Sequence, residues 1–430
     1  MRLRWSHRNH VAAIRQRRRT LEALPGFTAE DRRIFPDPAA DAVLHQYQEA
    51  YVGQMVLPVG IVGPMTISLG EYRHAEPDGR LEEIGRRTEK VIIPLGHTEG
   101  GLSASMLRGI HATSLAGGIH TAVLQDEMTR DSALVFDDVA TALRVREWVI
   151  RQEAELKAWL NDPANPGYRE RLPNGRTRLS SHARLWSIEP RLVGPVVHLL
   201  YRFSTGDACG PNIMTRNAFV LNEEIARRLE DQGLAPRQVY LEANMGGDKK
   251  PSWEHFPGGH GKTVVAWSVL PDDVIRRVLR VEPEALQQLE WTGLHGAHAS
   301  GMQSFAFTPA SAVAALFVVT GQDLGMVGTS SMAQATVSRS DRGLVFSIRF
   351  SGIEVGTVGG GASLPHAQTY LRMMGCLQPG GARRLAQIIA AASLALEISA
   401  SASMASRASE NFFQAHWERG GIRGQAGSPH

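Results

Sequence analysis

Lysine is nearly missing from this chain: five lysines stand against forty-one arginines. Where arginine is the default cation, a retained lysine marks a place that needs a compact ammonium instead of a planar fork. Two of the five are adjacent, Lys249 and Lys250, in LEANMGGDKKPSWEHF. Cysteine is scarcer still. Cys209 and Cys376 alone make neither a disulfide framework nor a thiolate metal site, so a reducing, cytoplasmic setting and no metal are expected. Long apolar runs are absent too. The most apolar stretch, AQIIAAASLALEISASASMA, is rich in Ala and Ser and contains Glu397, which reads as a packed helix and not as a membrane span. A formal net charge of only +3 over 430 residues excludes a strongly basic nucleic-acid binder.

At 43% hydrophobic, 430 residues are enough for two or three domains with their own cores. Texture divides the chain. Residues 1–48 form a charged helical lead-in carrying seven arginines before the first acid, Glu22, read as a solvated basic helix. Gly/Pro-punctuated motifs fill 49–136 and return in 241–405. Between them, 137–240 holds the long amphipathic DDVATALRVREWVIRQEAELKAWL, the strand-like VVHLLYRF and the helical AFVLNEEIARRLEDQG, a small α+β insertion. Residues 406–430 form a C-terminal segment. The fold class is α+β.

Several motifs have chemistry available to them. IIPLGHTEGGLSASMLRGIHA reads as strand, glycine turn and helix start just after Glu99, where free N–H groups and the helix dipole suit a phosphate or a carbonyl oxygen. In NMGGDKKP, the lysine pair behind a Gly-Gly turn reads as a fixed cation aimed at an oxyanion; the alternative is two solvated charges on an exposed turn. STGDACGPN, TGQD and IEVGTVGGG complete the set, each of them alone more often structural than catalytic.

Together with GQMVLPVGIVGPM, and in this order, these segments resemble the 3-hydroxy-3-methylglutaryl-CoA reductase family over about residues 49–416, with IEVGTVGGG in the class I form. The resemblance implies a large, mainly helical domain around a central helix, carrying an inserted ferredoxin-like nucleotide-binding domain. It implies reduction of an acyl-CoA thioester to the alcohol with NADPH or NADH, as in the mevalonate pathway, by a homodimer or larger homo-oligomer. It places Lys249 on the oxyanion, Glu99 as proton donor, and Asp323 hydrogen-bonded between them. It makes His416, in FFQAHWERG, the acid that protonates the departing thiolate; the other reading of His416 is a surface histidine on a tail. Ser180, Arg184, Asp207, Asn212, Gly359, Gly360 and Gly361 fall on cofactor positions, Arg108 on a CoA phosphate position, and Asn244 and Lys250 beside the substrate.

The chain departs from the family where the acyl group's carboxylate is bound. The expected arginine is Val135, a serine is Glu242, an asparagine is Ser311, and no lysine follows Lys262. ASGMQSFAFTP, before the aspartate helix, is longer than the family pattern. A buried carboxylate without its partner costs about 3–5 kcal/mol, so a neutral acyl group, or one with an amine facing Glu242, competes with hydroxymethylglutaryl-CoA. A carrier-protein thioester and a non-catalytic CoA-binding scaffold are the remaining alternatives.

Overall fold

Alternation sets the first elements. In β1 (Val59–His74) Met65, Ile67 and Leu69 turn inward, the period-2 pattern of a sheet with one buried face. This strand pairs antiparallel with β2 (Leu81–Gly96). The structure, a computed structural model, describes residues 11–23, 25, 27–35, 43–76, 78–170, 175 and 177–417, apart from the side chains of 408 and 415–417. After α2 (Leu102–Leu115), β3 (Ile119–Val135) joins β1 in parallel at Ile67–Ile119. β7 (Gly261–Leu270), β8 (Ala333–Ser340) and β9 (Gly343–Ile353) extend the order to β2-β1-β3-β7-β9-β8. The larger unit therefore contains a six-strand path of sheet, more β structure than the mainly helical expectation allowed.

β3 belongs to two sheets. Residues 120–127 pair with β7, and 128–135 pair with β5 (Val196–Ser204). Around that second half lie α3 (Val139–Asn161), β4 (Arg184–Val193), α4 (Pro211–Glu230) and β6 (Gln238–Tyr240). Their connectivity is βαββαβ, with β4-β5-β3-β6 as sheet order. A separate core, from Met128 to Val239 and Leu241, fills this unit. It begins on β3, earlier than the expected 137, because one strand serves both cores.

The Ala/Ser-rich stretch is α8 (Gly381–Ala405), with nineteen of its 25 residues buried. It is long and apolar enough to cross a membrane, yet it is enclosed by the fold. Small side chains allow that enclosure: a Cβ on Gly109 of α2 would sit 1.8 Å from the Ala395 carbonyl oxygen. The buried Glu397 accepts from the Phe307 and Thr308 N–H groups at 2.8 and 2.9 Å. The lead-in helix α1 (Val11–Glu22) is not simply solvated. Arg17 is buried and donates to the Tyr51 carbonyl at 2.8 Å, and Arg18 to that of Val52 at 2.7 Å.

Candidate active site

The DKK loop follows β6 and is pinned from behind. Gly246 and Gly247 lie so close to neighbours that a Cβ would sit 2.9 Å from the Asp131 N and 2.2 Å from His255 Nε2. Lys249 itself adopts φ 60°, a left-handed conformation that L residues hold only when their surroundings impose it. Its Nζ reaches Asp323 Oδ2 at 2.7 Å, and this hydrogen bond, helped by the carboxylate's charge, raises the ammonium's pKa. The other Asp323 oxygen accepts from the Gly325 N–H at 2.9 Å and so fixes the carboxylate. Gly325 also leaves room: a Cβ there would be 2.9 Å from Lys249 Cδ. Both members of the pair are about half exposed. Lys250, beside them, is exposed and donates to Asn244 Oδ1.

Glu99 lies exposed in the turn before α2. Among the described residues it makes no hydrogen bond or ion pair, so the expected bridge by Asp323 between Glu99 and Lys249 is formed only on the lysine side. The turn itself is anchored. A Cβ on Gly96 would be 2.8 Å from Val319 of α6 (Pro309–Thr320), the helix that runs into TGQD. His416 falls in α9 (Glu410–Trp417), and its side chain lies outside the described residues.

Behind the loop is a buried polar cluster that the sequence reading missed. Arg130 of β3 donates to Asp248 at 2.5 Å and also pairs with Glu242. His260 Nε2 lies 3.3 Å from both Asp248 and Glu354, and its Nδ1 2.6 Å from Thr129 Oγ1. Burial pulls the His260 pKa down, but Glu354 and Asp248 outweigh it and push it up to about 9. His255 stacks on that ring at 4.9 Å; burial first, then the neighbouring His260 charge, lowers its pKa to about 4. The available signal was the concentration of His, Arg and acid around DKK, in MTRD, EHF and GGHGK.

This cluster corrects two expectations. Glu242 does not face the substrate as a free carboxylate, because Arg130 and the Asn244 N–H occupy its oxygens. Val135 sits at the end of β3, paired with Val196 and Gln238; the strand's cation that meets the loop is Arg130.

The glycine motifs also converge. The Thr357 N–H donates to the Asp207 carbonyl at 2.8 Å, and Gln322 of TGQD exchanges two 2.9 Å hydrogen bonds with the Gly356 backbone. A Cβ on Gly361 would be 2.3 Å from the Gly321 oxygen, whereas Gly359 (φ 74°) and Gly360 (φ 49°) face open space. The outer two form a bare backbone cradle that a dinucleotide can approach. The Asp207 carboxylate, expected on the nicotinamide side, accepts from the Gly380 and Ala382 N–H groups at 3.0 and 2.9 Å and caps α8. Asn212 is exposed at the start of α4. Ser180 is buried, its N–H bonded to Asn217. Arg184 pairs with Glu76 at 2.7 Å over the Trp186 ring. Arg108, expected on a CoA phosphate, is half-buried and donates to Ser399 Oγ at 2.9 Å and to Ser403 Oγ at 2.6 Å. Ser311 lies half-buried in the first turn of α6.

The family model described as hydroxymethylglutaryl-coenzyme A reductase matches residues 13–420. A 3-hydroxy-3-methylglutaryl-coenzyme A reductase from Aeropyrum pernix is 34% identical over 366 residues, 82% of this chain and 79% of that protein. One from Haloferax volcanii is 31% identical over 423 residues, 96% and 94% of the two chains. The solved class II enzyme from Streptococcus pneumoniae, bound to NADPH in open conformations, superposes with a TM-score of 0.62. It covers 91% of this chain and 97% of that one at 17% identity, a likeness of fold.

Proposed function

Because this chain belongs to the hydroxymethylglutaryl-coenzyme A reductase family, we propose that it reduces an acyl-CoA thioester to the alcohol and free CoA. The observation that carries this is Lys249, a surface ammonium held 2.7 Å from Asp323 in a strained, pinned loop. The Gly359–Gly360 backbone would hold NADPH or NADH, and two such molecules, bound in turn, would supply one hydride each to the carbonyl carbon. Lys249 donates to the carbonyl oxygen as it becomes an oxyanion, and Asp323 keeps the ammonium charged and aimed. His416 gives a proton to the leaving thiolate, and Glu99 gives one to the oxygen of the aldehyde intermediate. Two hydrides and two protons thus balance thioester against alcohol and thiol.

Gly359 and Gly360 support the cofactor's place, since their outward faces are bare while Gly356 and Gly361 are packed inward. The βαββαβ unit supports reading 137–240, with the second half of β3, as a ferredoxin-like nucleotide-binding domain inserted between 49–136 and 241–405, with 1–48 as lead-in and 406–430 as a flap. Arg184 already pairs with Glu76, so a 2′-phosphate has to displace a carboxylate there. Glu99 needs burial to hold a proton at neutral pH, and it is exposed in the single chain. That favours a homodimer whose second copy, with the substrate, closes the site. Two free thiols, Cys209 and Cys376, are consistent with a cytoplasmic setting.

The test is oxidation of NADH and of NADPH, followed by nicotinamide absorbance, with hydroxymethylglutaryl-CoA as reference substrate. Lys249→Ala is expected to lower kcat about a hundredfold to a thousandfold while cofactor binding persists. Turnover indifferent to Lys249→Ala would sink the reading.

A further inference from the structure

An apolar cavity of about 300 Å³, partly open to solvent, lies between α5 (Pro283–Ala299), β8, β9 and α8. Leu286, Leu294, Phe305, Val337, Phe346 and Leu394 line it. The stretch ASGMQSFAFTP, longer than the family pattern, forms one wall. A second cavity of about 330 Å³ shares Met302, Ser304, Ala306 and Phe307 with the first and runs on to Pro251 and Gly328. Pro251 is two residues past Lys249, and Gly328 five past Asp323. A Cβ on Gly328 would be 3.8 Å from the Pro251 ring, so the second cavity ends where the segments that carry Lys249 and Asp323 meet.

The lining's charge decides what fits. Among the described residues it includes Glu290 and Glu397 and no Lys, Arg or His. Glu397 is bonded to Phe307 and Thr308, the Thr336 and Ser347 hydroxyls pair with each other at 2.7 Å, and Ser304 bonds backbone at Ser331 and Ala333. Burial raises the Glu290 pKa, which makes its carboxyl easier to keep neutral. A terminal carboxylate would enter without a cation and beside two acids, whereas a hydrocarbon chain loses nothing. The volume is that of a small-molecule site.

Resting on the thioester-reductase reading, we propose that the two joined cavities hold the acyl group, and that the substrate class is an acyl thioester with an extended, uncharged, apolar chain. The carbonyl stays at Lys249 and the chain runs past Pro251 and Ala306 toward Phe346.

The experiment measures kcat/KM for straight-chain acyl-CoA thioesters from acetyl upward, beside hydroxymethylglutaryl-CoA. Binding of the same series to Lys249→Ala protein is measured by calorimetry. Each methylene entering the cavity should raise kcat/KM about fourfold, the equivalent of about 0.8 kcal/mol per buried CH2, until the space is full. Ala306→Trp, at the junction of the two cavities, should flatten that slope, and the milder Ala335→Leu should shorten the preferred chain, with melting temperature reporting the fold of each. A flat or falling profile, or hydroxymethylglutaryl-CoA preferred over every apolar thioester, overturns the proposal. If nothing is reduced but binding still tightens with chain length and Ala306→Trp abolishes the trend, the cavity assignment stands and the reductase reading fails. If binding also ignores chain length, the cavity assignment fails.

Discussion

Asp248 and Lys249 are neighbours in the chain and opposites in environment. Asp248 turns inward to Arg130 and His260, in a cluster where the guanidinium is 8% and the imidazole 1% exposed. Lys249 turns outward to Asp323, and both are about half exposed. Burial makes the first set structural, since an uncompensated charge there is expensive. Exposure leaves the second set accessible to a substrate, with an ion pair that contributes little to folding. One loop therefore divides anchoring from chemistry at a single peptide bond.

The sharpest way to break that contrast is to exchange the effects. Arg130→Leu strips the cation from Asp248 and should cost about 3–5 kcal/mol of stability, read from denaturant midpoints. Lys249→Ala should change stability by no more than about 0.5 kcal/mol while abolishing most turnover. Equal losses of stability would erase the distinction. Next in size is Gly325→Ala. Its Cβ would press on Lys249 Cδ at 2.9 Å, and the displaced ammonium should lower kcat about tenfold to a hundredfold with the melting temperature held. An unchanged kcat would mean that the pair's placement is not critical.

The smallest effect is a pH dependence confined to the buried side. Folded His260 keeps its proton to about 9, above the ordinary 6.5. Its stabilisation is therefore complete below pH 6.5 and lost as pH rises toward 9. Folded His255, lowered from 6.5 to about 4, contributes in the opposite sense, with stabilisation present above 6.5 and lost as pH falls toward 4. Thermal melts across this range should show both arms. His260→Gln should remove the alkaline arm and His255→Gln the acid arm; arms that survive these substitutions belong to other groups.

Much of this was legible in the residues. The five-to-forty-one lysine imbalance led to Lys249, and the Ala/Ser texture of 386–405 led to a buried helix. The glycine motifs led to a cradle. What was not legible concerned partners distant in sequence. Arg130 and Glu242 are 112 residues apart, so Glu242 looked like a free carboxylate until the fold neutralised it. Asp207 and α8 are separated by 175 residues at Ala382, so the cap that Asp207 makes on that helix was not visible. Nor was the bond from Arg108 Nε to Ser399, 291 residues on.

Sequence by itself determined the α+β class, the family, the order of the motifs and the candidate lysine, because periodicity, turn residues and rare cations are local properties of the chain. Only the tertiary structure decided which charges are already paired, that β3 serves two cores, and that an apolar cavity reaches Pro251, two residues past Lys249. These depend on which distant groups share a low-dielectric interior, where a charge or a void takes its meaning from its neighbours.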